Sequence, residues 1–152
     1  MKFFIPILLV FSFLSSFISF NALALCITTE TANLRSSKDT SSEENITWVV
    51  PKHMPLRPIR KEGEFWVVSD VDGDKHWVHE SVVTKSYMCA VIKAKKANLR
   101  TGPGTNYKPV TFLNSVEQYA TFIYVSQKDK WAQLKDDVGN IYWVYRPLIY
   151  VY

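Results

Sequence analysis

The sequence predicts an all-β protein made of two copies of one small unit, and two observations support this. The string ANLR occurs at residues 32–35 and again at residues 97–100, an offset of 65 positions, and such a recurrence indicates a repeat. Short runs rich in β-branched and aromatic residues follow each copy, and outside the N-terminal segment no window shows the period of an amphipathic helix. Many short strands with turns between them are typical of a small barrel or sandwich.

The N-terminal segment is predicted to be a secretory signal peptide. Lys2 is followed by a long apolar run, and Ala-Leu-Ala at residues 22–24 supplies the small residues of a cleavage site. We therefore expect residues 1–24 to be removed and the mature chain to have no stable membrane span. The alternative is an uncleaved anchor, because residues 3–24 could nearly span a bilayer of about 30 Å.

The charge of the chain argues against nucleic acid as a partner. Without Lys2, the 18 basic and 14 acidic residues leave a net charge of +3, too small and too scattered for that role. Secretion argues against it as well. One local cluster, Lys93, Lys95, Lys96 and Arg100, lies within eight residues. It is either a solvated strand face or a contact with an anionic envelope polymer.

The spacing of the tryptophans defines the repeat. Trp66 and Trp131 each lie 33 positions after the asparagine of ANLR. The next tryptophans, Trp77 and Trp143, follow 11 and 12 positions later, and each precedes a valine. Units of this size can fold alone, although with little stability to spare. The predicted domains are residues 25–88 for the first unit and residues 89–152 for the second.

Six runs are predicted to be strands, because they are rich in β-branched and aromatic residues: NITWVV, EFWVVSD, KHWVHE, TFIYVS, KWAQLKD and NIYWVY. Turn dipeptides separate neighbouring runs, as hairpins require. These are Glu62-Gly63, Asp72-Gly73 and Gly139-Asn140.

The stretch RTGPGTNY, residues 100–107, is predicted to be a structural bend. A phosphate-binding loop needs several glycines that lead into a helix N-terminus, whereas this stretch leads into a strand. Gly102 and Gly104 are expected to supply unusual backbone angles around the rigid Pro103.

No group of residues supports an enzyme, a metal site or a cofactor. In DVDGDKHWVHE, Lys75 and Ser81 occupy the positions where a calcium loop needs Gly and Glu. His76 and His79 are three residues apart on a predicted strand, so they point to opposite faces and cannot bind one ion together. The second unit has no histidine after Cys89 to activate that thiol. We therefore expect a non-enzymatic protein.

The repeated pattern resembles that of the bacterial SH3-like (SH3b) domain. The pattern consists of Asn-Leu-Arg, Gly-Pro-Gly, an aromatic residue, a mid-unit tryptophan, an acidic-Gly turn and Trp-Val, and it covers nearly all of residues 28–150. These domains occur in exported bacterial proteins, so the resemblance implies two tandem SH3-like β-barrels in the periplasm or cell envelope of a bacterium. The chain departs from the pattern where SSKDTSSE replaces Gly-Pro-Gly. It departs again at His76 and Tyr142, where a glycine usually stands, and these larger residues are expected to crowd the groove beside Trp77 and Trp143.

The resemblance suggests a binding function. Its implied ligand is peptidoglycan, the stem peptides of peptidoglycan or another envelope protein. A small barrel cannot bury all five tryptophans and eight tyrosines, and rings left at the surface beside arginines would form a binding patch. The alternative is an adaptor whose barrels pack together and use up these grooves, and a more distant one is an accessory of a cell-wall hydrolase. The candidate binding residues are Arg35, Trp66, Trp77, Arg100, Tyr107, Trp131, Tyr142 and Trp143.

The two cysteines, Cys26 and Cys89, are expected to form a disulfide, because an even count in an oxidising compartment favours one. In an SH3-like barrel the first and last strands of a unit lie near one another. The resemblance therefore implies that this bridge closes the first unit, with Cys89 on its last strand.

Overall fold

The computed structural model describes residues 24–110 and 115–152, so the predicted signal peptide lies outside the described residues except for its last position. The described chain consists of antiparallel β-strands with two short 3-10 helices and no α-helix. The predicted all-β class is confirmed. The expected barrels are not closed, because the hydrogen-bonded ladders of the described residues end at edge strands and form open sheets.

The strands of residues 25–84 form one seven-stranded sheet. Its order is β3-β2-β6-β5-β4-β1-β7. The strands are β1 (Leu25–Ile27), β2 (Thr31–Arg35), β3 (Ile46–Pro51), β4 (Pro55–Glu62), β5 (Phe65–Ser69), β6 (Lys75–His79) and β7 (Val83–Thr84), with a 3-10 helix at Glu80–Val82.

The strands of residues 89–151 form two further sheets. The larger has the order β13-β12-β11-β8-β14, and β10 pairs with β9 in a two-stranded ribbon. The strands are β8 (Cys89–Ile92), β9 (Lys96–Ala97), β10 (Val116–Glu117), β11 (Thr121–Lys128), β12 (Trp131–Lys135), β13 (Ile141–Tyr145) and β14 (Ile149–Val151), with a 3-10 helix at Arg146–Leu148.

The strand β4 is not among the six predicted runs, and it contains two prolines, which are unfavourable within a strand. Pro55 is the first residue of the strand, and Pro58 lies next to a break in the register between Pro58 and Arg60, which leaves Ile59 unpaired and 43% exposed. The same irregularity recurs in β11 around Val125, which is 46% exposed. The bulge is therefore a repeated feature of the unit.

The strand register corrects the alignment of the repeats. Phe65 pairs with His79 in the first unit, and Trp131 pairs with Tyr145 in the second. Trp131 therefore corresponds to Phe65 and not to Trp66. Because side chains alternate along a strand, this difference of one residue places Trp66 on the opposite face, where it packs against the core of the first unit.

One aspartate organises the same hairpin turn in both units. Asp70 Oδ1 accepts hydrogen bonds from two backbone amides of its turn, and its Oδ2 bonds to His76 Nε2 at 2.9 Å. Asp136 repeats this arrangement, with Tyr142 as the donor to its Oδ2 at 2.8 Å. His76 and Tyr142 are 7% and 2% exposed. They therefore point into the interior and do not crowd the groove beside Trp77 and Trp143, contrary to the expectation.

Gly102 is needed for space and not for an unusual backbone angle. Neither Gly102 nor Gly104 has a positive φ, in contrast to the glycines of the hairpin turns. A side chain at residue 102 would instead overlap the ring of Tyr107, which folds back over the bend. The structural bend is present, but its glycine serves close packing.

Cys26 and Cys89 form a disulfide with a Cα–Cα distance of 5.9 Å. The expectation that this bridge closes the first unit is wrong, because Cys89 begins β8, a central strand of the second sheet. The last strand of the first unit is β7, which pairs with β1 at Cys26 and Thr84. The disulfide therefore joins the first strands of the two units.

A polar cluster also holds the units together. Asp137 Oδ1 accepts hydrogen bonds from His53 Nε2 at 2.8 Å and from Lys52 Nζ at 2.9 Å. On its other side, His53 Nδ1 lies 2.9 Å from the hydroxyl of Tyr87. The hydrogen bond from Lys52, together with that from His53, holds the pKa of Asp137 below its usual value of 3.8. The same bond raises the pKa of Lys52.

An aromatic contact forms a second junction between the units. Tyr119 donates its hydroxyl to Asp72 Oδ2 at 2.8 Å, and its ring meets the ring of Trp48 edge-on, with centroids 5.2 Å apart. The hydrogen bond to Asp72 raises the pKa of Tyr119. Val91 of the second unit is fully buried in the core of the first. The units are thus joined by packing as well as by polar contacts.

Candidate functional site

Each unit carries a surface groove at the same place. The groove of the second unit, called groove 2, has a volume of about 520 Å³ and is lined by Asn98, Arg100, Gly104, Thr105, Asn106, Lys130, Trp131, Tyr145 and Leu148. The groove of the first unit, called groove 1, has about 290 Å³ and is lined by Thr31, Ala32, Asn33, Arg35, Thr40, Phe65, His79 and Val82.

The two grooves are built from equivalent positions. Asn and Arg of the ANLR string contribute to both, together with a threonine from the following loop, an aromatic residue that begins a strand, its cross-strand partner, and an apolar residue of the 3-10 helix. The pairs are Asn33 and Asn98, Arg35 and Arg100, Thr40 and Thr105, Phe65 and Trp131, His79 and Tyr145, and Val82 and Leu148. The fold therefore forms this groove twice, with the same polar side chains but different aromatic and apolar ones.

The arginine of each groove fixes the loop that forms one wall. Arg100 Nη1 donates to the carbonyl oxygens of Thr105 at 3.2 Å and Tyr107 at 2.8 Å. Arg35 Nη1 donates to the carbonyl of Ser42 at 2.7 Å, which is again seven residues downstream. This bond explains why the first loop keeps its place without Gly-Pro-Gly. Since a guanidinium has five N–H donors, Arg100 retains others for a ligand.

An aromatic pair forms the floor of each groove. In groove 2 the rings of Trp131 and Tyr145 meet edge-on, with centroids 5.8 Å apart. In groove 1 the rings of Phe65 and His79 meet in the same way at 4.9 Å. The neighbouring residues Ala132 and Val144 are fully buried, so the aromatic pair of groove 2 lies on the face of the hairpin that points away from the core.

The structure brings together only some of the residues predicted from the sequence. Arg35, Arg100 and Trp131 line the grooves. Tyr107 is 42% exposed and lies on the loop beside groove 2. Its carbonyl oxygen accepts the hydrogen bond from Arg100 that anchors this loop. Trp77 and Trp143 are the cross-strand partners of Arg35 and Arg100, and neither lines a groove. Trp66 and Tyr142 lie on the core face, so we leave them out of the proposed site.

The ring of Trp77 is also covered. Lys38 Nζ lies 5.2 Å and the Arg60 guanidinium 5.5 Å from its centroid.

Several residues that line the grooves were not predicted from the sequence. Two of them could have been found from the i, i+2 alternation of side chains along a strand. Asn98 shares a face with Arg100, and Tyr145 shares one with Trp143. The missed residues include Asn33, Phe65, His79, Val82, Asn98, Lys130, Tyr145 and Leu148.

Residues 24–110 and 115–152 contain no group of three or more His, Cys, Asp or Glu side chains placed to hold a metal ion. In the same residues, no helix has the length and apolar character needed to cross a membrane.

No family model and no curated protein matches the sequence. Among solved structures, the chain is similar to an NlpC/P60 family protein from Bacillus cereus ATCC 10987 at a TM-score of 0.38 and 11% identity, covering 85% of this chain and 56% of that one. It is also similar to NlpC2 from Trichomonas vaginalis, at 0.36 and 9%, covering 84% and 47%. NlpC1 from the same organism follows, at 0.34 and 11%, covering 84% and 45%. The chain thus spans about half the length of these proteins. At this degree of likeness, nothing that those proteins do is transferred to it.

Proposed function

We propose that this chain is an exported, non-enzymatic protein of two SH3-like units that binds an extended ligand of the bacterial cell envelope. The observation that carries this proposal is the repetition of the groove. Both units place an aromatic pair, an arginine and an asparagine around a cleft at the same position, although the aromatic residues themselves differ. A concave site with aromatic walls and a few convergent polar groups is the usual form of a binding site.

Groove 2 is the principal site in this proposal. Trp131 and Tyr145 hold an apolar part of the ligand, and Asn98 and Arg100 bond to its polar groups, which is a common mode of recognition for extended chains. Groove 1 is smaller, and its aromatic pair contains the polar ring of His79. Two sites on one chain add avidity when a polymer engages both.

The cellular setting rests on the sequence. The apolar leader, the disulfide and the resemblance to SH3-like domains of exported proteins all favour an oxidising compartment outside the cytoplasm. Peptidoglycan, its stem peptides or an envelope protein are the ligands that this resemblance implies.

The rival is an adaptor whose two units pack together and bind other proteins. Contacts between the units favour its first half, since Asp137, Tyr119 and the disulfide join them. None of these contacts involves a residue that lines either groove. Packing of the units therefore does not occupy the grooves, as the adaptor hypothesis would require.

Co-sedimentation with purified cell-wall sacculi tests the proposal. The mature protein should sediment with sacculi, and Trp131→Ala should weaken this binding about tenfold or more, because a central aromatic residue carries much of the energy of such a site. Tyr150→Ala is the matched control, since Tyr150 is 37% exposed and lies outside both grooves. The proposal is contradicted if the mature protein stays in the supernatant. It is also contradicted if Trp131→Ala loses binding only because the variant has lost its folded structure, as shown by the absence of a thermal unfolding transition.

A further inference from the structure

The acidic residues around the end of groove 1 are replaced by basic residues at groove 2. Glu62 pairs with Phe65, and Lys128 pairs with the equivalent Trp131. A backbone hydrogen bond of 2.8 Å joins the amide of Glu80 to the carbonyl of Glu64 in the first unit, and an equal bond joins Arg146 to Lys130 in the second. Glu80 is therefore equivalent to Arg146, and Glu64 to Lys130. The rim of groove 1 is thus Glu62, Glu64 and Glu80, and the rim of groove 2 is Lys128, Lys130 and Arg146.

The rim of groove 1 is neutralised by cations of the first unit. Glu62 bonds to Arg60 Nε at 2.6 Å and to Lys38 Nζ at 3.3 Å, and Glu80 forms an ion pair with Lys61. The hydrogen bond from Arg60, followed by that from Lys38, lowers the pKa of Glu62. Two of the three glutamates at this rim are therefore paired with Lys or Arg, and Glu64 lies 3.8 Å from His79 Nε2. Lys38 and Arg60 also lie over the Trp77 ring.

The rim of groove 2 has positive charge to spare. The strand register places Ser126 and Gln127 where the first unit has Arg60 and Lys61. Within the described residues, neither Lys128 nor Lys130 forms a salt bridge. The single acidic residue in this turn is Asp129, which takes the place of Gly63 and shares its left-handed backbone, with φ of 52° and 61°.

The interior of groove 2 adds donors and apolar surface to this charge. Lys130 lines the groove together with Asn98, Arg100 and Asn106, so four side chains with N–H donors meet there. Its floor is formed by the aromatic pair and Leu148. A ligand that satisfies all of these groups brings a negative charge and an apolar side chain together. A peptide with a free carboxylate has both, whereas a chain of phosphates has no apolar part.

We propose that groove 2 recognises a peptide segment that carries a free carboxylate, and that groove 1 does not share this specificity. The inference rests on the proposed function, because it names the chemistry that the binding site selects. Lys130 and Arg100 bind the carboxylate, and Trp131 and Tyr145 hold the neighbouring apolar side chain. Groove 1 has Arg35 in place of Arg100, but it has Glu64 in place of Lys130, and a glutamate repels a carboxylate.

The test uses the disulfide-bonded mature chain and two probes, acetyl-Ala-Leu-Ala with a free carboxylate and its C-terminal amide. Binding is followed in NMR spectra through the indole N–H signal of Trp131 for groove 2 and the ring C–H signals of His79 for groove 1. The carboxylate probe should bind about tenfold more tightly than the amide, as expected for a charge-assisted hydrogen bond, and it should shift Trp131 but not His79. Lys130→Gln should remove most of this preference, because it should weaken binding of the carboxylate probe more than binding of the amide.

Lys135→Gln is the matched control, since it removes the same charge from the other end of β12 and lies outside the groove. An equal loss of preference in Lys135→Gln overturns the inference, because net charge alone would then explain it. Equal affinities of the two probes, equal shifts at His79, or stronger competition by polyphosphate than by the carboxylate probe also overturn it. Sedimentation with sacculi without any carboxylate preference leaves the proposed function standing and removes this inference alone.

Discussion

The role of a residue in this protein depends on which face of its strand it occupies. Phe65 and Trp66 are adjacent, yet one lines a groove and the other packs against the core. Tyr142 and Trp143 also lie on opposite faces, with Tyr142 in the core of the second unit. The sequence predicts both strands, but the spacing of the tryptophans suggests an alignment that is wrong by one residue. A shift of one position exchanges the two faces of a strand. Whether Phe65 or Trp66 belongs to the site therefore depends on the register, which the hydrogen-bonded pairs define.

A single carboxylate at the junction of the units gives a prediction for pH. The pKa of Asp137 is lowered in the folded protein, first by the hydrogen bond from Lys52 and then by that from His53. Its stabilisation is therefore fully present above the usual value near 3.8 and is lost as the pH falls through the lower folded value. Asp137→Asn should reduce stability at pH 7 by less than about 1 kcal/mol, since the side chain is half exposed.

Urea denaturation of both proteins across pH measures this effect. The stability difference between wild type and Asp137→Asn should be constant from pH 5 to 8 and should shrink below pH 4. A difference that grows in acid would show that the carboxylate does not stabilise the junction. Glu117→Gln is a suitable control, because Glu117 is exposed and pairs only with Lys96 at 3.4 Å among the described residues.

At the scale of elements, hairpins were easier to predict than strands interrupted by proline. The turns around Gly63, Gly73 and Gly139 were read from their dipeptides, and all three glycines have a positive φ. The strand β4 was not predicted, because the sequence gives no sign of the bulge that follows Pro58. The bend at Gly102 was located correctly but explained wrongly, since its contact with Tyr107 arises only when the loop folds back.

The bend supplies a prediction for Gly102→Ala. The added methyl group would overlap the ring of Tyr107, which must move, so we expect a loss of about 1–3 kcal/mol. The displaced loop also forms a wall of groove 2, so ligand binding should weaken. Thermal denaturation of Gly102→Ala, Tyr107→Ala and the double variant measures the coupling. The double variant should be more stable than the sum of the single losses implies, whereas additive losses would mean that the two residues do not meet.

At the scale of the whole molecule, the two units behave as one packed body in which each contributes to the other. Val91 completes the core of the first unit, and Lys52, Asp72 and Asp137 bond across the junction. The sequence indicates two units through its repeat, but it could not predict their docking, because the docking residues are the ones that differ between the copies. Both grooves remain outside this junction.

The disulfide gives the last prediction, because it joins the units and does not close one of them. Its cysteines are fully buried, one in β1 of the first sheet and one in β8 of the second. They are 63 positions apart, and for a loop of that length the chain-entropy estimate is about 4 kcal/mol. Removing both thiols with Cys26→Ala and Cys89→Ala should therefore lower the stability of the two units together. Native-state hydrogen exchange should show weaker protection of backbone amides in both β1 and β8. Protection lost in the first unit alone would show that the bridge acts within that unit, and an unchanged stability would show that packing around Val91 holds the junction without it.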